Sequence, residues 1–212
     1  MLYAKKYGIP IRIIHAHSTN LVGSVHKFLH SINKYTMPLL ANRFLACSKE
    51  AGEWLYNGTS AKVKEIILPN GIDTANFKYD PEIRKQVLQE LALPDNEPIF
   101  GHVGNFRKVK NHEFLINVFN EYVRLNKKGY LLLVGDGDLI NDIKCQIENL
   151  GLLDRVRLLG SRKDINRLLQ CIDYFIFPSF YEGLPVSVVE AQASGCMVFC
   201  SNHVSPEVKV TK

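Results

Sequence analysis

Acidic residues are missing from the start of the chain. No Asp or Glu precedes Glu50, whereas Lys5, Lys6, Arg12, Lys27, Lys34, Arg43 and Lys49 all do, together with four histidines. Long apolar runs are missing too. The densest patches, such as residues 131–134, fall far short of the about 18 apolar residues that a membrane-spanning helix needs. No apolar stretch follows Lys5 and Lys6, so a secretory leader is not expected. The five cysteines, Cys47, Cys145, Cys171, Cys196 and Cys200, are odd in number and none sits in a CxxC pair. That excludes a disulfide framework and a zinc ribbon, and leaves reduced core cysteines of a cytoplasmic protein, with Cys196 and Cys200 at the ends of a buried strand. At 46% hydrophobic and 22% charged, the chain is neither disordered nor fibrous.

What is present is uneven. Residues 1–94 carry 12 Lys and Arg against 7 Asp and Glu, while residues 95–212 carry 14 of each. A basic front half suits an anionic partner such as a phosphate group or a membrane surface; a solvated basic face is the plain alternative. Nucleic acid is not expected, because the cations are dispersed and no basic motif interleaved with aromatics appears.

At 212 residues the chain has room for one to two domains. In the front part, short strands read at residues 12–15, 44–47 and 65–68. A helix reads over 24–41, with Val25, Phe28, Leu29, Ile32, Leu39 and Leu40 near helical spacing and His26, Lys27, His30, Asn33 and Lys34 on its other face. Ser48 is placed to cap a helix through Tyr56, and Pro81 to open one through Leu91. The turn-rich stretch 93–98 reads as a boundary, giving domains 1–94 and 95–212. The second part alternates: strands at 99–103, 130–134, 156–159, 174–177 and 197–200, helices at 112–125, 139–150, 164–171 and 186–194. Such alternation predicts βαβ units and a parallel sheet.

A parallel sheet places ligands at the carboxyl ends of its strands. The first such loop, 101–112, holds Gly104, Asn105, Arg107, Lys108 and Lys110 before a helix. Backbone N–H groups at that helix start, with Arg107 and Lys110, suit a diphosphate. Two other phosphate loops are excluded: Gly135-Asp136-Gly137 is followed by Ile140 where a dinucleotide fingerprint needs a small residue, and no GxxxxGK[ST] exists. The loop after the 174–177 strand contains Glu182-Gly183-Leu184-Pro185 and, eight residues after Glu182, Glu190. Glycosidase chemistry would need two carboxylates about 5–10 Å apart and facing one another. One strand–loop–helix junction points these two in different directions, so separate jobs are expected: one for a sugar's hydroxyls, one for a ribose. The Gly183 and Leu184 amides lie near a helix start, where anions are favoured.

Glu182 to Glu190, with Glu-Gly-Leu-Pro inside it, resembles the E-x7-E motif of retaining glycosyltransferases of family 4, which have the GT-B fold. Residues 68–73, the 103–112 loop, residues 133–137, Leu159-Gly160 and His15-Ala16-His17 resemble further stretches of that family in the same order, closest to bacterial enzymes of capsule and exopolysaccharide synthesis. The resemblance implies two Rossmann-like parallel-sheet domains, both incomplete. It assigns Glu190 to the donor ribose, Glu182 to the transferred sugar, Gly183 and Leu184 to sugar and diphosphate, Gly104, Asn105, Arg107 and Lys110 to the diphosphate, and His17 to sugar and acceptor across a cleft. It implies a nucleotide-sugar donor, a UDP-sugar foremost, with no metal or other cofactor; a glycan or lipid-linked acceptor; and a cytoplasmic place with peripheral inner-membrane contact through residues 1–49. Asn105 stands where the family usually has Arg, with Arg107 as the stand-in. Similar enzymes extend further at both ends, so this chain resembles a middle segment and is expected to transfer sugar weakly or not at all. Two other readings stand beside this one: a non-catalytic nucleotide-sugar-binding remnant, and a nucleotide-sugar epimerase on the same fold.

Overall fold

The computed structural model describes residues 1–20, 24–125 and 127–211, without the side chains of Ser24, His26, Lys27 and Val63. The chain forms two compact units. The first comprises Met1–Asn70, Tyr181–Pro185 and His203–Val208; the second comprises Gly71–Phe180, Val186–Asn202 and the residues from Lys209.

The first unit opens with α1 (Leu2–Lys6) and is built on β1 (Ile13–Ala16), β2 (Arg43–Ala46) and β3 (Glu65–Ile67), parallel and in that order. Helix α2 (Ser24–Leu40) links β1 to β2, and α3 (Lys49–Tyr56) links β2 to β3. The Ser48 hydroxyl accepts from the Ala51 N–H at 3.2 Å, capping α3 as its sequence predicts. Small residues let α3 lie close on the sheet: Ala46, Cys47, Ala51 and Ala61 are fully buried beside Phe44 and Tyr56. The Tyr56 hydroxyl lies 2.8 Å from the Leu45 carbonyl oxygen. Burial, with Glu65 nearby, pushes its pKa up to about 12.

Helix α2 is turned differently from its sequence reading. His30, expected on the solvent side, stacks on Trp54 of α3 at 4.1 Å between ring centroids. Val25, Phe28, Leu29, Ile32 and Leu39 are exposed, and Leu40 is half-buried. A helix buries whichever face a neighbour meets, and in this unit α3 meets the His30 side. His26 and Lys27 lie outside the described side chains.

The second unit begins with a single 3-10 turn, Thr74–Phe77, and α4 (Pro81–Glu90), where the Asp80 carboxylate accepts from the Glu82 N–H at 2.8 Å. Its sheet contains β4 (Ile99–Val103), β5 (Tyr130–Val134), β6 (Val156–Gly160), β7 (Tyr174–Phe177) and β8 (Met197–Cys200), all parallel, in the order β6-β5-β4-β7-β8. The intervening helices are α5 (His112–Arg124), α6 (Ile140–Asn149), α7 (Ile165–Leu168), which runs on into a 3-10 turn, and α8 (Val186–Ala193). One face of the sheet buries Leu131 and Leu133 against Leu115, Ile116, Phe119, Ile143 and Ile147 of α5 and α6.

Three further sequence expectations are corrected here. The 93–98 turn lies inside the second unit: Arg84 of α4 reaches Asp95 at 3.1 Å and Asp173 at 3.0 Å, and Asp173 also accepts the Ile99 N–H at 2.8 Å. Strand β8 is a sheet edge, with Met197, Phe199 and Cys200 exposed. Cys145 is exposed as well, so only Cys47, Cys171 and Cys196 are core thiols. Among the described residues no helix is long and apolar enough to cross a membrane.

Candidate active-site loops

The order β6-β5-β4-β7-β8 means that the chain runs outward one way from β4 and the other way from β7. The loops leaving the carboxyl ends of these two neighbours diverge, and that is where open α/β sheets hold ligands. The β4 loop is tied down on both sides. The Gly104 N–H donates to the Val134 carbonyl at 2.9 Å, and the Phe106 N–H to the Asp136 carbonyl at 2.9 Å. On the other side the Phe180 N–H donates to the Val109 carbonyl at 2.9 Å, and the Asn111 side-chain amide to the Pro178 carbonyl at 3.3 Å. Asn111 sits in the left-handed region, at φ 56°, directly before α5. Its side chain therefore links the two loops instead of capping the helix.

Within this loop Asn105 and Arg107 are exposed, whereas Lys110 is half-buried. The Lys110 stem crosses Gly104: a Cβ there would stand 3.2 Å from Lys110 Cε and 3.0 Å from His102 Nε2. The ammonium lies 4.6 Å from the centre of the Phe177 ring, a cation–π placement at the end of β7. His102 and His112, which sequence reasoning passed over, lie directly behind the loop, with ring centroids 4.7 Å apart. Burial, then His112, pulls the His102 pKa down to about 3; burial, then Lys110, pulls that of His112 down to about 4. Both stay neutral above mild acidity. The available signal was a histidine inside an otherwise apolar strand, next to a glycine-rich loop. On α8, Glu190 is half-buried and its carboxyl is raised by burial.

The first unit brings its own candidates together. His17 is exposed one residue beyond β1, its ring 4.0 Å from that of His15. Burial, and then His17, lowers the pKa of His15. The segment Tyr181–Pro185 packs with this unit. Gly183 is buried so tightly that a Cβ would stand 2.6 Å from the His17 carbonyl oxygen and 2.9 Å from Cys47 Sγ. Only glycine fits there. The Asn70 side-chain amide holds the next residue, donating to the Leu184 carbonyl at 2.7 Å. Glu182 is half-buried and forms a parallel bridge with Val204. Thus His17, Glu182, Gly183 and Leu184 gather on the first unit, and Gly104, Asn105, Arg107, Lys110 and Glu190 on the second. Among the described residues no group of three His, Cys, Asp or Glu side chains is placed to hold a metal ion.

Two units each built on a parallel α/β sheet have the architecture of the GT-B fold, which the likeness to the solved structures below supports. Residues 83–212 match the family described as glycosyl transferases group 1, and the chain belongs to that family. EpsF of Bacillus subtilis is 33% identical over 98% of this chain and 55% of its own length. A Campylobacter jejuni protein named as an N-acetylgalactosaminyltransferase acting on a diphospho-undecaprenol-linked sugar is 30% identical over 96% of this chain and 54% of its own. An Escherichia coli α-1,3-galactosyltransferase using UDP-Gal and a diphosphoundecaprenol-linked GlcNAc is 34% identical over 66% of this chain and 37% of its own. The chain thus spans about half the length of EpsF and of the Campylobacter jejuni protein. Among solved structures, Anabaena HepE with UDP-glucose superposes with a TM-score of 0.84 at 21% identity, covering 99% of this chain and 58% of HepE. WaaG, a lipopolysaccharide glycosyltransferase, gives 0.70 at 17% identity, covering 96% and 62%.

Proposed function

We propose that the chain carries the sugar-transfer site of a retaining glycosyltransferase of bacterial surface-polysaccharide assembly, with a UDP-sugar as donor and a glycan or lipid-linked sugar as acceptor. The observation that carries this reading is Lys110. Its stem is pinned over Gly104 and its ammonium stands over Phe177, at the point where the β4 and β7 loops diverge. A sugar leaving a nucleotide deposits negative charge on the diphosphate. A cation already fixed at that position stabilises the charge without reorganising. In this reading Arg107 assists from the exposed rim, Glu190 accepts from the ribose hydroxyls, Glu182 contacts the transferred sugar, and His17 faces sugar and acceptor. Protein cations take the role that a metal ion would otherwise fill. The diphosphoundecaprenol substrates named for the relatives above support the acceptor class.

The test is thermal unfolding with UDP, GDP, ADP and their common sugars, for the wild type and Glu190→Ala. A ligand at about 100 times its Kd stabilises a fold by about 2.7 kcal/mol, so a shift with one base, lost in Glu190→Ala, is expected. A folded sample that no nucleotide stabilises refutes the reading. Incubation with donor alone separates the epimerase alternative, which would change the sugar.

Contact with the cytoplasmic face of an anionic membrane belongs to the same proposal. Its support is the exposure of Leu2, Tyr3, Phe28 and Leu39 in a stretch that has basic residues and no acid before Glu50. Co-sedimentation with anionic but not neutral liposomes is expected; equal recovery with both sinks it.

A further inference from the structure

We infer that His102 is a positioning residue for Lys110: through the unpaired Nε2 edge of its ring, it sets where the ammonium stands against a bound diphosphate. This rests on the nucleotide-binding reading above and adds a residue to it.

The tautomer follows from one contact. His102 Nδ1 lies 2.8 Å from the Ile176 carbonyl oxygen. A carbonyl only accepts, so Nδ1 carries the hydrogen and Nε2 presents a lone pair. That nitrogen is buried and has no hydrogen-bond partner among the described residues. It points to the loop: a Cβ on Gly104 would stand 3.0 Å from it, and 3.2 and 3.4 Å from Lys110 Cε and Cδ. The imidazole edge and the lysine stem therefore close on the same point, where a Cβ at position 104 would press on both.

The ring itself is held on several sides. It stacks on Phe177 at 5.4 Å and on Phe175 at 6.3 Å, and His112 meets it edge-on. Phe177 also carries the Lys110 ammonium on its face, so one stack supports both the histidine and the cation. A purely structural role in this setting would be filled better by an apolar ring, since an unpaired buried nitrogen is destabilising. Here the polar edge lies beside the half-buried lysine of the loop. Because the imidazole stays neutral, its Nε2 edge lies beside the Lys110 stem without repelling the ammonium.

The test uses the 212-residue chain with UDP and uridine as probes, measured by calorimetry. The ratio of the two affinities reads what the diphosphate contributes. His102→Phe is expected to lower that ratio about tenfold, the size of a charged hydrogen bond lost when the Lys110 ammonium is misplaced from the diphosphate, and toward the ratio of Lys110→Ala. Uridine affinity should stay at the wild-type level in His102→Phe. His102→Gln, which returns an acceptor near the Nε2 position, should recover most of the ratio, and His102→Phe with Lys110→Ala should lose no more than Lys110→Ala alone. A folded His102→Phe that keeps the wild-type ratio overturns the inference. Should that variant not fold, nitrogen-15 NMR of the wild type decides: UDP must move the His102 Nε2 resonance and uridine must not, and an Nε2 signal unmoved by bound UDP overturns the inference. A wild type that binds UDP no better than uridine instead refutes the nucleotide reading beneath it.

Discussion

Acid should unfold the second unit earlier than its carboxylates alone would dictate, because two of its histidines are buried neutral. An unfolded histidine takes up a proton near pH 6.5, whereas His102 and His112 do so only near 3 and 4 when folded. Between these limits the unfolded chain binds more protons, so stability falls as pH falls. By about pH 5, where both rings are still neutral in the fold, each has already lost about 2 kcal/mol. Because the rings touch, one protonation opposes the other, and the pair should act together. The assay is urea unfolding between pH 7.5 and 5, followed by far-ultraviolet circular dichroism. Trp54, the only tryptophan, reports the first unit separately by fluorescence. His112→Phe keeps the ring contact with Phe106 and removes one proton site; it should lose about half as much stability on acidification as the wild type. A wild-type stability that is flat from pH 7.5 to 5, or a slope that His112→Phe leaves unchanged, would refute the reasoning.

Three further outcomes are expected. Gly183→Ala forces a methyl against the His17 carbonyl and Cys47 Sγ and should destabilise the first unit by about 1–3 kcal/mol, read from Trp54 fluorescence; an unchanged midpoint would mean that the segment docks elsewhere. Ser48→Ala removes the cap of α3 and should lower the same transition by about 1 kcal/mol. Arg84→Ala strips two carboxylates of their shared partner and should expose the α4 amides to hydrogen exchange before those of β4; simultaneous exchange would show that α4 does not depend on that ion pair.

Much of the second unit was legible because its information is local. Strands of four or five apolar residues alternate with amphipathic helices, and residues 99–103, 130–134, 174–177 and 197–200 form strands as read. Ser48 and Pro81 marked helix starts because capping acts within one turn. The candidate loops were legible for the same reason: glycines and cations beside a strand end need no distant partner to be recognised.

What the sequence left open depends on contacts between residues far apart in the chain. Spacing on α2 separates two faces, but tertiary packing decided that the His30 face meets Trp54 while Phe28 and Leu39 stay exposed. The pattern of β8 reads as a buried strand; the sheet order made it an edge. Glu182 and Gly183 read as part of a local strand–loop–helix junction, yet Gly183 packs on His17 and Cys47 from the other end of the chain. Likewise, nothing local marks His102 as the support beneath Gly104 and Lys110. By itself the sequence determined the elements and the chemistry available at their ends, since periodicity and capping act over a few residues. Only the tertiary structure decided which glycine must stay bare and which histidine must stay neutral, because exclusion of a methyl group or a proton depends on what the fold packs around it.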